Sequence, residues 1–199
     1  MRVIKSEKFK KKIFKVILSE IFSFYKYIVI SMPGRSGVIL RKLFWKKRLN
    51  IQEDHNIGRN ADILYDDLFE IGKNFILGDG SVLDAGESNG VYIGNYVGIA
   101  RNCFLRSANH KIDRTDVPWM LQGHETSKIE YMNSTYSIVI EDDVWIGANV
   151  TILSGAHLSK GVVVVAGSVV SGFVKPYSVI IGNPARMCKS RLKEKNDKI

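Results

Sequence analysis

Residues 138–184 repeat with a period of six, and few folds tolerate that period. Every sixth residue from Ile140 is aliphatic: Ile146, Ile152, Leu158, Val164 and Val170 follow it. Four residues after each stands Val144, Val150, Ala156, Val162, Ser168 or Val174, all small or β-branched. Gly147, Gly155, Gly161, Gly167 and Gly172 fall between them, where a chain can turn sharply at low steric cost. A helix repeats every 3.6 residues and a half-buried strand every two, so neither fits. The pattern predicts a β-solenoid, in which short strands and tight turns stack into a prism. Buried hairpin strands would not keep phase over six hexads.

Traced towards the N-terminus, the repeat weakens. Ile51, Ile57 and Ile63 give an irregular first phase, and Ile71, Leu77 and Leu83 a second, with Phe75 and Ser81 four residues on. The phase slips through residues 85–90 (AGESNG), read as a loop bulging from one turn, and resumes at Ile93, Ile99 and Leu105, with Val97 and Cys103 at the small positions. Residues 110–137 break the period and carry Pro118 and Gly123. A long loop thrown out of a regular solenoid is more often functional than accidental. The division predicted is a helical arm over 1–50, a solenoid over 51–184 with its excluded loop, and a basic tail over 185–199 that forms a short helix.

Charge is uneven along the chain. The formal net charge is +9, yet residues 1–48 alone hold fourteen Lys and Arg against two acidic residues. An excess gathered in one arm points to an anionic partner surface. Within it, Lys8, Lys12, Lys15, Ser19, Ser23 and Lys26 draw one polar stripe along a predicted helix over 7–30, and the rest of its surface is apolar and aromatic. Lys15, Glu20 and Lys26 interrupt the apolar run, which argues against a membrane span, and no uninterrupted apolar stretch precedes a small-residue cleavage site. Such a helix suits peripheral contact with an anionic leaflet through residues 1–48, or packing on the solenoid or a neighbouring subunit. Nucleic acid is the disfavoured partner. Met32-Pro33-Gly34 ends this helix, and residues 35–48 make a second, short one. The two cysteines, Cys103 and Cys188, match no metal spacing and fit a reduced cytoplasmic compartment.

Four histidines compete for a chemical role. Counting from the aliphatic positions, His110, Trp145 and His157 take the sixth place of their hexads and should point outward. His55 lies in the irregular start and His124 inside the loop. His110 stands out because it sits where rigid wall meets excluded loop. No three histidines carry the spacing of a metal site, and no metal is expected.

The hexads, the block Asp142-Asp143-Val144-Trp145-Ile146-Gly147-Ala148-Asn149-Val150 and the block Gly182-Asn183-Pro184-Ala185-Arg186 resemble the hexapeptide-repeat acyltransferases over about residues 69–192. Maltose, galactoside and nodulation-factor O-acetyltransferases are similar, and the basic arm looks like that of surface-polysaccharide O-acetyltransferases. The resemblance implies an all-β, left-handed parallel β-helix, a homotrimer, and an acetyl-CoA site between neighbouring prisms. The family's catalytic histidine matches His110, in Asn109-His110. Trp145 and Ala148 match the residues flanking the pantetheine arm, and Ala166 a second small position beside it. Arg186 and Lys189 match basic positions at the nucleotide end. Ser171-Gly172 stands where relatives carry Thr-Lys, leaving Lys175 as the substitute phosphate contact. The acceptor asparagine of the sugar enzymes has no clean match; Gly78 or Asp79 falls nearby. Asp84 matches an acceptor-side aspartate that would contact the acceptor or orient His110, or is simply a turn residue.

The expected function is therefore acetyl-CoA-dependent O-acetylation of a saccharide, in surface-polysaccharide assembly, by a cytoplasmic enzyme at the inner face of the membrane. An acetyltransferase acting on a xenobiotic or amino sugar, and a non-catalytic solenoid scaffold, are the alternatives. An imidazole placed as His110 is suits the first, because near neutral pH it can take a proton from a hydroxyl.

Overall fold

A computed structural model describes residues 2–51 and 54–192, without the side chains of residues 2–11. Lys8 of the polar stripe therefore lies outside the described side chains. Two helices, α1 (Arg2–Ser31) and α2 (Gly34–Arg48), precede a run of short strands that visits three sheets in strict rotation.

His55–Ile57, Phe75–Leu77, Gly98–Ile99, Trp145–Ile146, Val163–Val164 and Ser178–Gly182 pair in parallel to make the first face. Asp62–Leu64, Val82–Asp84, Phe104–Arg106, Thr151–Leu153 and Val169–Val170 make the second. Phe69–Ile71, Val91–Ile93, Ile138–Ile140, His157–Leu158 and Phe173–Val174 make the third. A strand's sequence neighbour thus lies on the next face, and its hydrogen-bonded neighbour one full coil away.

The hexads work because each aliphatic residue lands in an inward column. Ile57, Leu77, Ile99, Ile146, Val164 and Ile180 are in register up the first face and are all buried. Ile63, Leu83, Leu105, Ile152 and Val170 do the same on the second. The small positions Val144, Val150, Ala156, Val162 and Ser168 are buried at the corners. Val174 differs: by count it is a corner residue, yet it stands in register with Leu158, because the chain turns tightly at Ser171-Gly172. Cys103 is a core residue, its thiol against the Gly147 carbonyl, and burial pushes that thiol up.

Coils stack so closely that some corners have no room for a side chain. A Cβ on Gly78 would sit 2.5 Å from the Ala100 carbonyl carbon and 2.5 Å from the Arg101 nitrogen. Gly78 is therefore required by stacking. Gly78→Ala is expected to lower the unfolding free energy by about 1–3 kcal/mol, the usual cost of forced overpacking, in urea unfolding at fixed protein concentration.

The arm closes the open end of the prism. Trp45, Phe44 and Leu49 are buried with Ile51, Ile57 and Phe75. Arg41 donates to the Met32 and Ile57 carbonyls, tying the inter-helix turn to the first coil. The last turns of α1 are held too: Val29 is buried, Lys26 pairs with Asp62 at 2.5 Å, and the Ile30 carbonyl accepts from the Asn60 N–H. Phe14, Ile17 and Ile21, further back along α1, are 50–62% exposed. Among the described residues no helix is long and apolar enough to cross a membrane.

The predicted C-terminal helix is not formed over the described part of the tail. Ala185–Ser190 is a strand, antiparallel to Ser178–Gly182. The last strand of the first face has an open edge with unpaired N–H and C=O groups, and the tail folds back to satisfy them. Residues 193–199 lie outside the described residues.

Candidate active site

The corner between the second and third faces is where the chain departs from its coil. Ser107 and Ala108 are still buried; Asn109 and His110 then run outward as a two-residue strand, both exposed. The loop returns as His124–Glu125, antiparallel, with His124 opposite His110 and Glu125 opposite Asn109. Pro118 starts a single 3-10 turn, Trp119–Leu121, that lies between the two arms. Gln122 ties the turn together, its amide donating to the Arg114 and Val117 carbonyls. Gly123, at φ +78°, makes the reversal that a residue with a Cβ would resist.

The return path is fastened to the prism. Thr126 donates to the Ser107 carbonyl, and the Ser127 N–H donates to Ser154 Oγ. A second ribbon, Ile129–Tyr131 with Ser134–Tyr136, brings the chain back to the third face. There Tyr131 packs on Tyr92 and His157, and burial, with Glu141 nearby, pushes its phenol up to about 12. The excluded loop is thus an ordered, docked structure.

His110 is held by rings on two sides. The Trp119 ring stands edge-on with centroids 4.6 Å apart, and the His124 ring lies 4.2 Å away at 40°. His124 Nδ1 is 2.8 Å from a Glu87 carboxylate oxygen, and Glu87 comes from the AGESNG turn one coil below. Arg106 reaches Glu87 at 3.8 Å and Asp84 at 2.6 Å. Asp84 also accepts from the Gly86 N–H. Its carboxylate is therefore occupied by Arg106 and the turn, and among the described residues it makes no hydrogen bond to the His110 ring. The other two histidines are accounted for: His55 is buried beneath α2, against the Lys42 carbonyl, and His157 pairs with Glu141 at 2.7 Å.

The remaining predicted site residues fall elsewhere on the prism. Trp145, 60% exposed, stands on the first face in an apolar groove of about 1160 Å³ that also includes Tyr96, Val163, Val179 and Lys189. Ala148 and the exposed Ala166 are neighbours on the corner between the first and second faces, joined by the Gly167 N–H to Ala148 carbonyl bond. Ser171, Lys175 and Arg186 share a hollow of about 290 Å³ at the C-terminal end. Asp79 lies beside the arm, accepting from the Arg59 N–H. Asn109 lines a polar crevice with Glu125 and Ser154. His110 and Trp145 therefore sit on different sides of one prism.

Glu87, His124, Arg106 and Trp119 were not singled out by the sequence as site residues. His124 is fourteen residues from His110, and only the cross-strand register joins them.

The rotation through three parallel sheets, with a loop leaving one corner, defines a hexapeptide-repeat solenoid with the fold of the hexapeptide acetyltransferases. No family model matches the chain. It is 37% identical over 109 residues to a protein described as a probable macrolide acetyltransferase from Lysinibacillus sphaericus, a match spanning 51% of this chain and 61% of the relative. In structure it resembles a galactoside acetyltransferase solved in complex with coenzyme A, with a TM-score of 0.65 at 24% identity over 82% of this chain and 76% of that one. It also resembles a maltose O-acetyltransferase from Clostridium difficile 630, with a TM-score of 0.64 at 22% identity over 84% and 83% of the two chains. The resemblance read from the hexads holds in both comparisons.

Proposed function

We propose that the chain is an acetyl-CoA-dependent O-acetyltransferase acting on a saccharide hydroxyl in surface-polysaccharide assembly. The observation that carries this reading is the placement of His110: solvent-facing, at the mouth of a docked loop, on a rigid corner. In the reaction its neutral imidazole takes the proton of the acceptor hydroxyl. The oxygen attacks the thioester carbonyl, the tetrahedral centre collapses, and the sulfur leaves as thiolate, which recovers the proton from the imidazolium. The products are an acetyl ester and free coenzyme A.

Acetyl-CoA fits the opposite side. The apolar groove at Trp145 suits the pantetheine arm, the small side chains of Ala148 and the exposed Ala166 leave room beside it, and Lys175, Arg186 and Lys189 supply cations for the phosphates. Because these groups and His110 occupy different sides of one chain, the reading requires a neighbouring copy. The proposed assembly is a homotrimer of left-handed prisms, each active site lying between two of them. In this reading Asn109 and Asp84 belong to the acceptor side with His110, while Asp79 would reach an acceptor only from another copy.

The exposed part of α1 supports a peripheral position at the inner face of the cytoplasmic membrane, where a lipid-linked glycan would be met at high local concentration.

A second reading is favoured by one observation, the likeness to the macrolide acetyltransferase relative: the acceptor is a xenobiotic hydroxyl. The two readings separate when purified chain and acetyl-CoA are presented with saccharides, nucleotide sugars, amino sugars and a macrolide. Free thiol and product mass are followed. Ester formation on a sugar hydroxyl is expected; acetylation of the macrolide alone would move the acceptor to the second reading. Neither transfer nor acetyl-CoA binding would leave the scaffold alternative.

A further inference from the structure

We propose that Glu87 and His124 are positioning residues for His110, forming a carboxylate–imidazole–imidazole chain of contacts that fixes the ring of the general base. The proposal rests on the acetyl-transfer reading for its kinetic consequence, but its structural content stands apart from it. Three observations carry it. His124 lies directly opposite His110 in the antiparallel ribbon, so backbone hydrogen bonding sets the spacing of the two rings. The ring centroids are 4.2 Å apart at an interplanar angle of 40°, and the Trp119 ring meets His110 edge-on at 4.6 Å. And His124 Nδ1 is bound by Glu87 at 2.8 Å, the carboxylate being within reach of Arg106, which is itself anchored on Asp84.

The chemistry follows from the bond to Glu87. A carboxylate accepts at Nδ1, so a neutral His124 carries its proton there and its orientation about χ2 is locked. The locked ring is one wall against which His110 packs, and Trp119 is the other. His110 receives no hydrogen bond from a carboxylate among the described residues, so ring packing takes the place of the usual second-atom anchor. Positioning of this kind matters because a general base must lie within hydrogen-bond reach of the proton it removes, and a displacement of about 1 Å can cost a hundredfold. Glu87 itself stands at φ +60°, a backbone state uncommon for a residue with a long side chain.

The test uses the full-length chain labelled with 15N-histidine, at mildly alkaline pH where imidazoles are neutral, together with turnover of acetyl-CoA. Neutral His124 is expected as the Nδ1–H tautomer. Glu87→Asn, which tolerates the left-handed backbone but falls short of the ring, should abolish that preference; Glu87→Gln, which keeps an acceptor oxygen in reach, should retain it. His124→Ala should shift or broaden the His110 ring signals and lower turnover about 10- to 100-fold without raising the KM for acetyl-CoA. His124→Phe should restore most of both, because it rebuilds the ring contact, whereas His157→Ala should change neither. Unmoved His110 signals in His124→Ala, or a phenylalanine variant no better than alanine, would overturn the proposal. Absence of any turnover in the wild type would overturn the acetyl-transfer reading alone, since the ring signals still decide the chain of contacts.

Discussion

His110→Ala is expected to lower acetyl transfer by roughly a hundred- to ten-thousand-fold, the range a positioned general base supplies. Acetyl-CoA binding and the unfolding midpoint should stay close to wild type. The separation follows from geometry. His110 is exposed and belongs to no inward column, so its removal opens no core cavity. The residues proposed to hold acetyl-CoA lie on other sides of the prism, so truncating the imidazole leaves that surface intact within the chain. The loop is pinned by Thr126, Ser127 and Gln122 independently of His110. Stopped-flow or thiol-release kinetics with calorimetric titration of acetyl-CoA provides the check. Unchanged turnover would remove His110 from the mechanism, and a parallel loss of acetyl-CoA binding would mean that it acts in the ground state.

The second large effect is expected from the arm. The full chain should float with anionic vesicles at low salt, and a chain lacking residues 2–21 should not. The fold decides where to cut. Val29, Lys26 and the Phe22–Phe44 ring pair hold the end of α1 on the prism, so removing them would test folding as much as binding. Residues 2–21 include Arg2, Lys5, Lys8, Lys10, Lys11, Lys12 and Lys15 against Glu7 and Glu20, besides the exposed Phe14, Ile17 and Ile21. At about 1 kcal/mol for each of the five net basic charges removed, the deletion should weaken partitioning by roughly several thousandfold. Equal flotation of both chains would contradict the membrane assignment. So would absence of flotation by the full chain.

The solenoid was legible because its determinant is periodic and local. A residue such as Ile146 or Leu105 announces its inward column by its spacing alone, and the stacking of coils does the rest. Cys103 and the second helix of the arm followed from the same kind of local signal. The tail was misread because its fate depends on something non-local: Ala185–Ser190 has a basic composition compatible with a helix, but the open edge of the first face captures it as a strand. The environment of His110 was only partly legible for the same reason. Spacing singled out His110, but the ribbon register that brings His124 to it, and the turn that delivers Glu87 from another coil, are products of the folded loop. Asp84, a plausible partner by motif, is instead engaged by Arg106.

The proposed site joins His110 of one chain to the Trp145–Ala148–Ala166 surface of another, and subunit mixing probes that junction. Chains carrying His110→Ala and chains carrying Ala148→Trp are purified, each inactive alone, then unfolded together in equal amounts and refolded. If each site is built across an interface of a trimer, random assembly leaves both partners intact at about one interface in four, and the mixture should recover about a quarter of wild-type turnover. A mixture as inactive as its two components, under conditions where refolded wild type regains full activity, would contradict a shared site.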